Sequence, residues 1–335
     1  MNVFELTRAL VDIDSVTPNE EQVGVYLSEH LSKMAARTDG HVERIKVEPH
    51  RYNVFAYWDA PVVTFSTHMD TVPPFFASRE DDDFIWGRGA CDTKGIIAAM
   101  LLALEALVES GERRVAALFV VGEERNSAGA YAAAKDFRGS RFLINGEPTE
   151  STLALGSKGA LRYEVVAHGR MAHSAYPHLG DSAIEKLLDA LERIRRIPLP
   201  ADPVLGASTL NIGLIQGGRA PNVIPDHAKA EIFIRLVDDG NSTRKAVAQA
   251  AGDSVDAREV LCIPAVHLGA VEGFKTSIVS YTTDIPAFEG AWGQPYLFGP
   301  GSIHVAHTAE ERIPKHELAA AVQTYQDLAR KLLEL

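Results

Sequence analysis

Imidazoles and carboxylates able to hold a cation or carry a proton recur along the sequence: His68 and Asp70, Asp92, the adjacent Glu123 and Glu124, Glu147, and His307. Neutral imidazole and carboxylate ligands suit zinc, and two such cations sharing one carboxylate activate water for attack on a carbonyl. His68, Asp92, Glu124, Glu147 and His307 suffice for two open-coordinate sites if Asp92 bridges. Such a reaction also needs an acid left free to move protons. Glu123 is the natural candidate, because its neighbour Glu124 is the better-placed ligand. Asp70 is expected to accept the second ring N–H of His68 and so fix the metal-binding tautomer. With only Cys91 and Cys262 and no C-x-x-C, a thiolate zinc site is not available. Each feature has a bland alternative. A lone His-x-Asp is more often a structural hydrogen bond, Asp70 could cap a turn, two adjacent acids usually mark a solvated turn, and Glu80 to Asp83 reads as a hairpin tip. Shared placement at strand ends is what favours chemistry.

The elements that must position these groups follow from hydrophobic patterning. The apolar run around Val62, Val63 and Phe65 predicts a buried strand ending on His68; RRVAALFVV predicts another ending on Gly122-Glu123-Glu124; RFLINGEPT predicts a third with Glu147 at its end. Asp92 follows the turn glycines Gly87 and Gly89 and precedes the apolar helix pattern IIAAMLLALEALV. Strand–helix alternations that deposit polar groups on one edge read as a doubly wound α/β sheet. Thr17-Pro18-Asn19-Glu20 reads as a capping box opening a helix to about Met34. From about Gly156 the order changes to strand, helix, strand, strand, helix, strand, a split βαβ unit complete in itself. The expected organisation is a discontinuous catalytic domain, 1–156 and 265–335, with a second domain inserted at 157–264.

A chain of 335 residues with 46% hydrophobic composition can bury a core large enough for two domains. Its net charge of -12 argues against nucleic acid as a partner. The acid-containing N-terminal helix pattern has no basic leader character, and no apolar run approaches a membrane span, so a cytoplasmic location is expected. The sequence has no G-x-S-x-G elbow and no H-E-x-x-H helix, and GRGACDTKG lacks the end of a phosphate loop.

The segments STHMDTVP, GRGACDTKG, GEERNSAGA, NGEPT, GRMAHSAYPHLGDSAI, QGGRAPNVIPD and FGPGSIHVAHTAEE resemble, in order, the successive motifs of the M20 di-zinc metallopeptidases. That family includes acetylornithine deacetylase, succinyl-diaminopimelate desuccinylase, aminoacylases and glutamate-releasing carboxypeptidases. The resemblance implies a zinc-hydrolase domain with an inserted ferredoxin-like (βαββαβ) lid that also forms a homodimer. It implies two Zn2+ per subunit, with Co2+ as a substitute: His68, Asp92 and Glu147 on one, and Asp92, Glu124 and His307 on the other. Glu123 becomes general base and acid. His173 matches the lid histidine that reaches the partner's site and helps hold the oxyanion. Asn222 and Arg235 match lid positions that bind substrate, Arg235 being suited to a bidentate grip on an α-carboxylate. Gly299 and Gly301 match the glycine turn beside the site, and His304 has no match. The implied substrate is a small N-acyl amino acid. FGPGSIHVAHTAEERI looks most like the acetylornithine and acetylcitrulline deacetylase branch, although Thr283-Asp284 stands where Thr-Glu is expected. Other readings are a desuccinylase, a carrier-linked amino-acid hydrolase or a dipeptidase on the same scaffold, and, in a different class, a catalytically silent peptide-binding protein.

Overall fold

The computed structural model describes residues 1–136 and 138–335, and the chain divides into two compact units. The first takes in Met1–Leu155, Leu268–Ser277 and Thr283–Leu335; the second takes in Gly156–His267 and Ile278–Thr282.

In the first unit a sheet runs in the order His41–Glu48, Arg51–Tyr57, Val115–Val120, Val63–His68, Phe142–Asn145, Gln294–Leu297, Leu153–Ser157. The strands from Val115–Val120 through Gln294–Leu297 are mutually parallel. The outer pairings are antiparallel, so the sheet is mixed. VAALFV, VTFSTH and FLIN are buried at every position, as strands covered on both faces must be. On one face the helices Val3–Val11, Gly95–Glu109 and Lys315–Leu333 pack with Phe65, Phe119 and Ile144. On the other, Ala128–Ala134 and the short turn Ile285–Phe288 pack with Leu118, Val120 and Leu143. Helix Gly95–Glu109 is apolar nearly all round, which suits a helix enclosed in the core. Parallel strands share one C-terminal edge, and that edge carries His68, the Gly122–Glu124 turn and Glu147.

The expected capping box does not form. The helix begins at Glu21, and the Glu20 carboxylate instead receives Arg51 Nε and Nη2 at 2.8 and 2.5 Å. Both side chains of that pair are buried, and a buried guanidinium without a carboxylate costs more than the roughly 1 kcal/mol a cap contributes. The freed Thr17 hydroxyl donates to Asp70 Oδ2 at 2.6 Å.

The second unit has the antiparallel order Thr209–Gly217, His227–Leu236, Gly159–His168, Asp256–Ile263. Strand burial alternates along His227–Leu236 and, from Leu161 onward, along Gly159–His168. The buried set (Leu161, Val165, Ile232, Ile234) packs with Leu187 and Leu191 of helix Ala183–Arg195 and Val247 of helix Asn241–Ala251. This is the ferredoxin-like βαββαβ arrangement. Thr209–Gly217 is an edge strand and leaves Leu214 and Ile215 exposed. Among the described residues, no helix is long and apolar enough to cross a membrane.

Candidate metal centre

The strand Val63–His68 ends on a ring that is 1% exposed. His68 Nε2 lies 2.9 Å from Asp92 Oδ1 and 3.9 Å from Glu147 Oε1. On the far side of the same carboxylate, Asp92 Oδ2 lies 3.3 Å from His307 Nε2, which is also 3.0 Å from Glu124 Oε2. Asp92 therefore turns one oxygen toward each imidazole. Ligand atoms of His68, Asp92 and Glu124 all fall within 4.8 Å of one another. His307 reaches its place with φ 62°, a left-handed backbone that a non-glycine residue adopts at a cost.

Backbone hydrogen bonds fix these positions. Asp70 Oδ1 accepts the N–H groups of Gly122 and Glu123 at 2.9 and 3.1 Å, and Oδ2 accepts that of Glu124 at 3.2 Å. The turn after strand Val115–Val120 is thus pinned to the residue two beyond His68. The expected role of Asp70 as acceptor of the His68 ring is taken by its own backbone carbonyl, 3.0 Å from Nδ1, while the carboxylate stands 3.6 Å away. The carboxylate is already occupied by the turn and by Thr17. Thr93 donates to the His68 carbonyl at 2.6 Å, and Thr67 to that of Gly146 at 2.7 Å, so the Asp92 loop, the His68 strand and the Glu147 turn share one hydrogen-bonded frame.

His307 and Asp92 are brought together by the small sheet Arg312–Pro314, Phe84–Trp86, Arg79–Glu80. Pairing of Trp86 with Arg312 sets the chain leaving His307 beside the chain entering the Asp92 loop. Arg79 and Arg312 both stack on the Trp86 ring, at 3.9 and 4.7 Å, and hold that register. The Glu80–Asp83 run is the tip of this hairpin. At Gly89 (φ 84°) a side chain would meet Thr71 at 2.8 Å, so the sharp entry into the loop requires glycine.

The electrostatics are those of a site deficient in positive charge. Burial pushes Glu123 and Glu147 well above the ordinary carboxylate range, against the pull of His68, and neighbouring acids add to the effect. Glu124 is raised for the same first reason. His307 is pushed up to about 10 by its bonds to Asp92 and Glu124. Burial works against a charged His68, yet Asp70, Asp92 and Glu147 raise it well above its usual value. Burial would raise Asp92, but both imidazoles hold it far below. Among the described residues, no Lys or Arg forms an ion pair with Asp92, Glu123, Glu124 or Glu147. Buried carboxylates gathered without fixed cations, around an acid shared by two imidazoles, form a donor set suited to divalent metal. Glu123 differs from the rest: among the described residues its carboxylate makes none of the hydrogen bonds or ion pairs that tie the other acids to the imidazoles.

A match to Peptidase family M20/M25/M40 spans residues 64–331. The chain belongs to this family. A probable carboxypeptidase of Aspergillus terreus is 38% identical, over 98% of this chain and 84% of its own length. Among solved structures, the aminopeptidase PepT of Bacillus cereus superposes with TM-score 0.80 at 20% identity, covering 99% of this chain and 98% of that one. A dinuclear metal-binding M20 peptidase of Bacillus subtilis superposes with TM-score 0.69 at 18% identity, covering 99% and 98%. As a member of the M20/M25/M40 peptidases, the chain is a hydrolase of amide bonds.

The remaining sequence candidates of this M20 protein fall into two groups. Gly299 and Gly301 are buried beside the cluster, and the structure shows them as close-packing positions. A Cβ on Gly299 would lie 2.3 Å from the Glu147 carbonyl oxygen, and one on Gly301 would lie 2.6 Å from Cys91 Sγ. His173, Asn222 and Arg235 belong to the second unit. His173 pairs with Val223 across a two-stranded ladder, and Ser174 N–H donates to the Asn222 carbonyl at 3.0 Å, so the two side chains come from one hydrogen-bonded corner. Ala175 N–H donates to His173 Nδ1 at 3.1 Å, which leaves Nε2 as the protonated nitrogen of the neutral ring. Arg235 is partly buried, stacks on Phe233 at 4.8 Å and makes no ion pair among the described residues. His304 is exposed.

Sequence reasoning missed Thr17, whose hydroxyl serves the Asp70 carboxylate, and Arg88 and Glu311, which bond to backbone and to each other. It left Asp284 without a role. Asp284 is 1% exposed with neither oxygen in a hydrogen bond of normal geometry, and burial pushes it up to about 7. The one available signal was its place beside Thr283, ahead of an apolar turn.

Proposed function

We propose that the chain is a metal-dependent amidohydrolase that releases an amino acid from an N-acyl amino acid, with His68, Asp92, Glu124, Glu147 and His307 holding two zinc ions. The observation that carries this reading is the orientation of Asp92, one oxygen to each imidazole. When bound, such cations polarise the scissile carbonyl and make water acidic enough to attack near neutrality. Glu123 takes the proton of the attacking water and delivers it to the leaving nitrogen. Its raised affinity for a proton, set by burial, suits both transfers. His173, with Nε2 protonated, is a donor suited to the developing oxyanion, and Arg235, which makes no ion pair among the described residues, is suited to a free α-carboxylate. Glu123→Gln is expected to lower kcat by at least about 100-fold with zinc stoichiometry unchanged. Retention of most of the activity would remove Glu123 from the mechanism.

On the substrate, the C-terminal run FGPGSIHVAHTAEERI supports an acetylated amino acid such as N-acetylornithine or N-acetylcitrulline. The second reading is a carboxypeptidase, favoured by the name of the 38% identical relative. Both break an amide whose nitrogen belongs to a residue with a free carboxylate; they differ in the acyl side. Zinc- or cobalt-loaded protein assayed on N-acetyl amino acids, N-succinyl amino acids and dipeptides decides between them. We further read the exposed edge strand Thr209–Gly217, with Leu214 and Ile215, as the dimerisation edge.

A further inference from the structure

Two carboxylates near the cluster do the same job from opposite sides. Asp70, two residues beyond His68, receives three consecutive N–H groups of the turn that presents Glu123 and Glu124. Glu311, four residues beyond His307, treats the Asp92 loop in the same way. Its Oε1 accepts Gly89 N–H at 2.9 Å, Cys91 N–H at 3.3 Å and Asp92 N–H at 3.2 Å. Its Oε2 faces Arg88 Nη1 at 2.5 Å, and both side chains of this pair are at most 2% exposed. Arg88 is tied in turn to the Pro74 carbonyl at 3.2 Å, so the carboxylate has little freedom to move. Each segment that carries an imidazole thereby also carries an acid that grips the turn bearing the acidic ligands.

We propose that Glu311 is a positioning residue of the metal centre, fixing the Asp92 carboxylate in its bridging orientation before any cation arrives. The loop at 89–92 has little helical bonding to hold it: Asp92 and Thr93 have non-helical backbone angles, Lys94 N–H closes back on the Gly89 carbonyl at 2.7 Å, and among the described residues Glu311 is the acceptor recorded for the amides of Gly89, Cys91 and Asp92. Removing the acceptor charge releases the loop, and Asp92 then loses its alignment between His68 and His307. The proposal rests on the reading of Asp92 as a shared ligand.

The test uses the full chain, with Zn2+ alone as probe. In metal-free protein the amides of Gly89, Cys91 and Asp92 are expected to be protected from hydrogen exchange. Glu311→Gln should speed their exchange at least about tenfold while leaving Phe65 and Leu118 unchanged. It should also weaken zinc binding by about 10–100-fold in competition with a chelating dye. A purely structural role would instead lower protection across the whole sheet and leave zinc affinity of the folded fraction intact. Unchanged loop exchange and unchanged zinc affinity in Glu311→Gln would overturn the proposal. Should that variant fail to fold, Glu311→Asp, which keeps the charge but withdraws it by one methylene, is expected to show the same two changes. Rapid exchange of the three amides in folded, metal-free wild-type protein overturns the proposal without any variant. Wild-type protein that takes up no zinc overturns the metal reading and this proposal with it, whereas protein that takes up zinc but hydrolyses no amide overturns the substrate reading alone.

Discussion

The Asp70 carboxylate, two residues beyond His68, works on the backbone of a turn 52 to 54 residues away. The residue types that hold metal announce themselves when they stand at strand ends. Groups that accept main-chain N–H bonds do not, because any residue can donate them; Glu311 was invisible for that reason, and Thr17 because its hydroxyl serves the Asp70 carboxylate 53 residues on. Burial pushes Asp70 up, yet the nearby His68 ring and the bonds from Thr17 and Glu124 N–H outweigh it and keep the carboxyl below its ordinary range. Asp70→Asn turns an amide N–H toward donors and leaves a buried backbone group without an acceptor. The expected loss of stability is about 1–3 kcal/mol by denaturant unfolding, with weaker zinc binding at the Glu124 side. A variant as stable as wild type with unaltered zinc uptake would show that the turn holds without it.

At the scale of elements, the central strands were legible because continuous apolar runs bounded by turn residues have few other uses in an α/β chain. The mixed outer strands and the failed capping box were not, since Glu20 was claimed by Arg51 from a strand 31 residues on. The close approach of the Gly299 segment to the Glu147 turn is likewise a tertiary fact. A Cβ there would meet backbone at 2.3 Å and Ile96 at 2.8 Å, and neither the carbonyl nor the core helix can yield cheaply. Gly299→Ala is expected to cost about 1–3 kcal/mol and to displace Glu147. Scanning calorimetry together with zinc stoichiometry checks this; full stability and two bound ions in the variant would mean the turn is more compliant than its packing implies.

For the whole molecule, the concentration of acid at one sheet edge links metal, protons and stability. Metal-free folded protein keeps protons that the unfolded chain gives up. Bonds to Asp92 and Glu124 push His307 up from 6.5 to about 10, burial pushes Asp284 up from 3.8 to about 7, and His68, Glu123 and Glu147 are held well above their usual values. Asp70 and Asp92 are shifted the other way, but their contribution is complete once pH exceeds their unfolded value of 3.8. Lys94, pushed down to about 7 by burial, works the opposite way above that pH. From about pH 5 to about pH 7 the native state therefore binds more protons than the unfolded state, and stability falls as pH rises. The Tm of metal-free protein should drop across that range, while zinc, which displaces those protons, should flatten the curve. A metal-free Tm that rises with pH would contradict the charge assignment.

Anomalous diffraction at the zinc edge from crystals grown with Zn2+ tests the centre most directly. Two peaks about 3.5–4 Å apart, flanking the Asp92 carboxylate with His68 on one side and His307 on the other, are predicted. A single peak, or peaks away from Asp92, would contradict it.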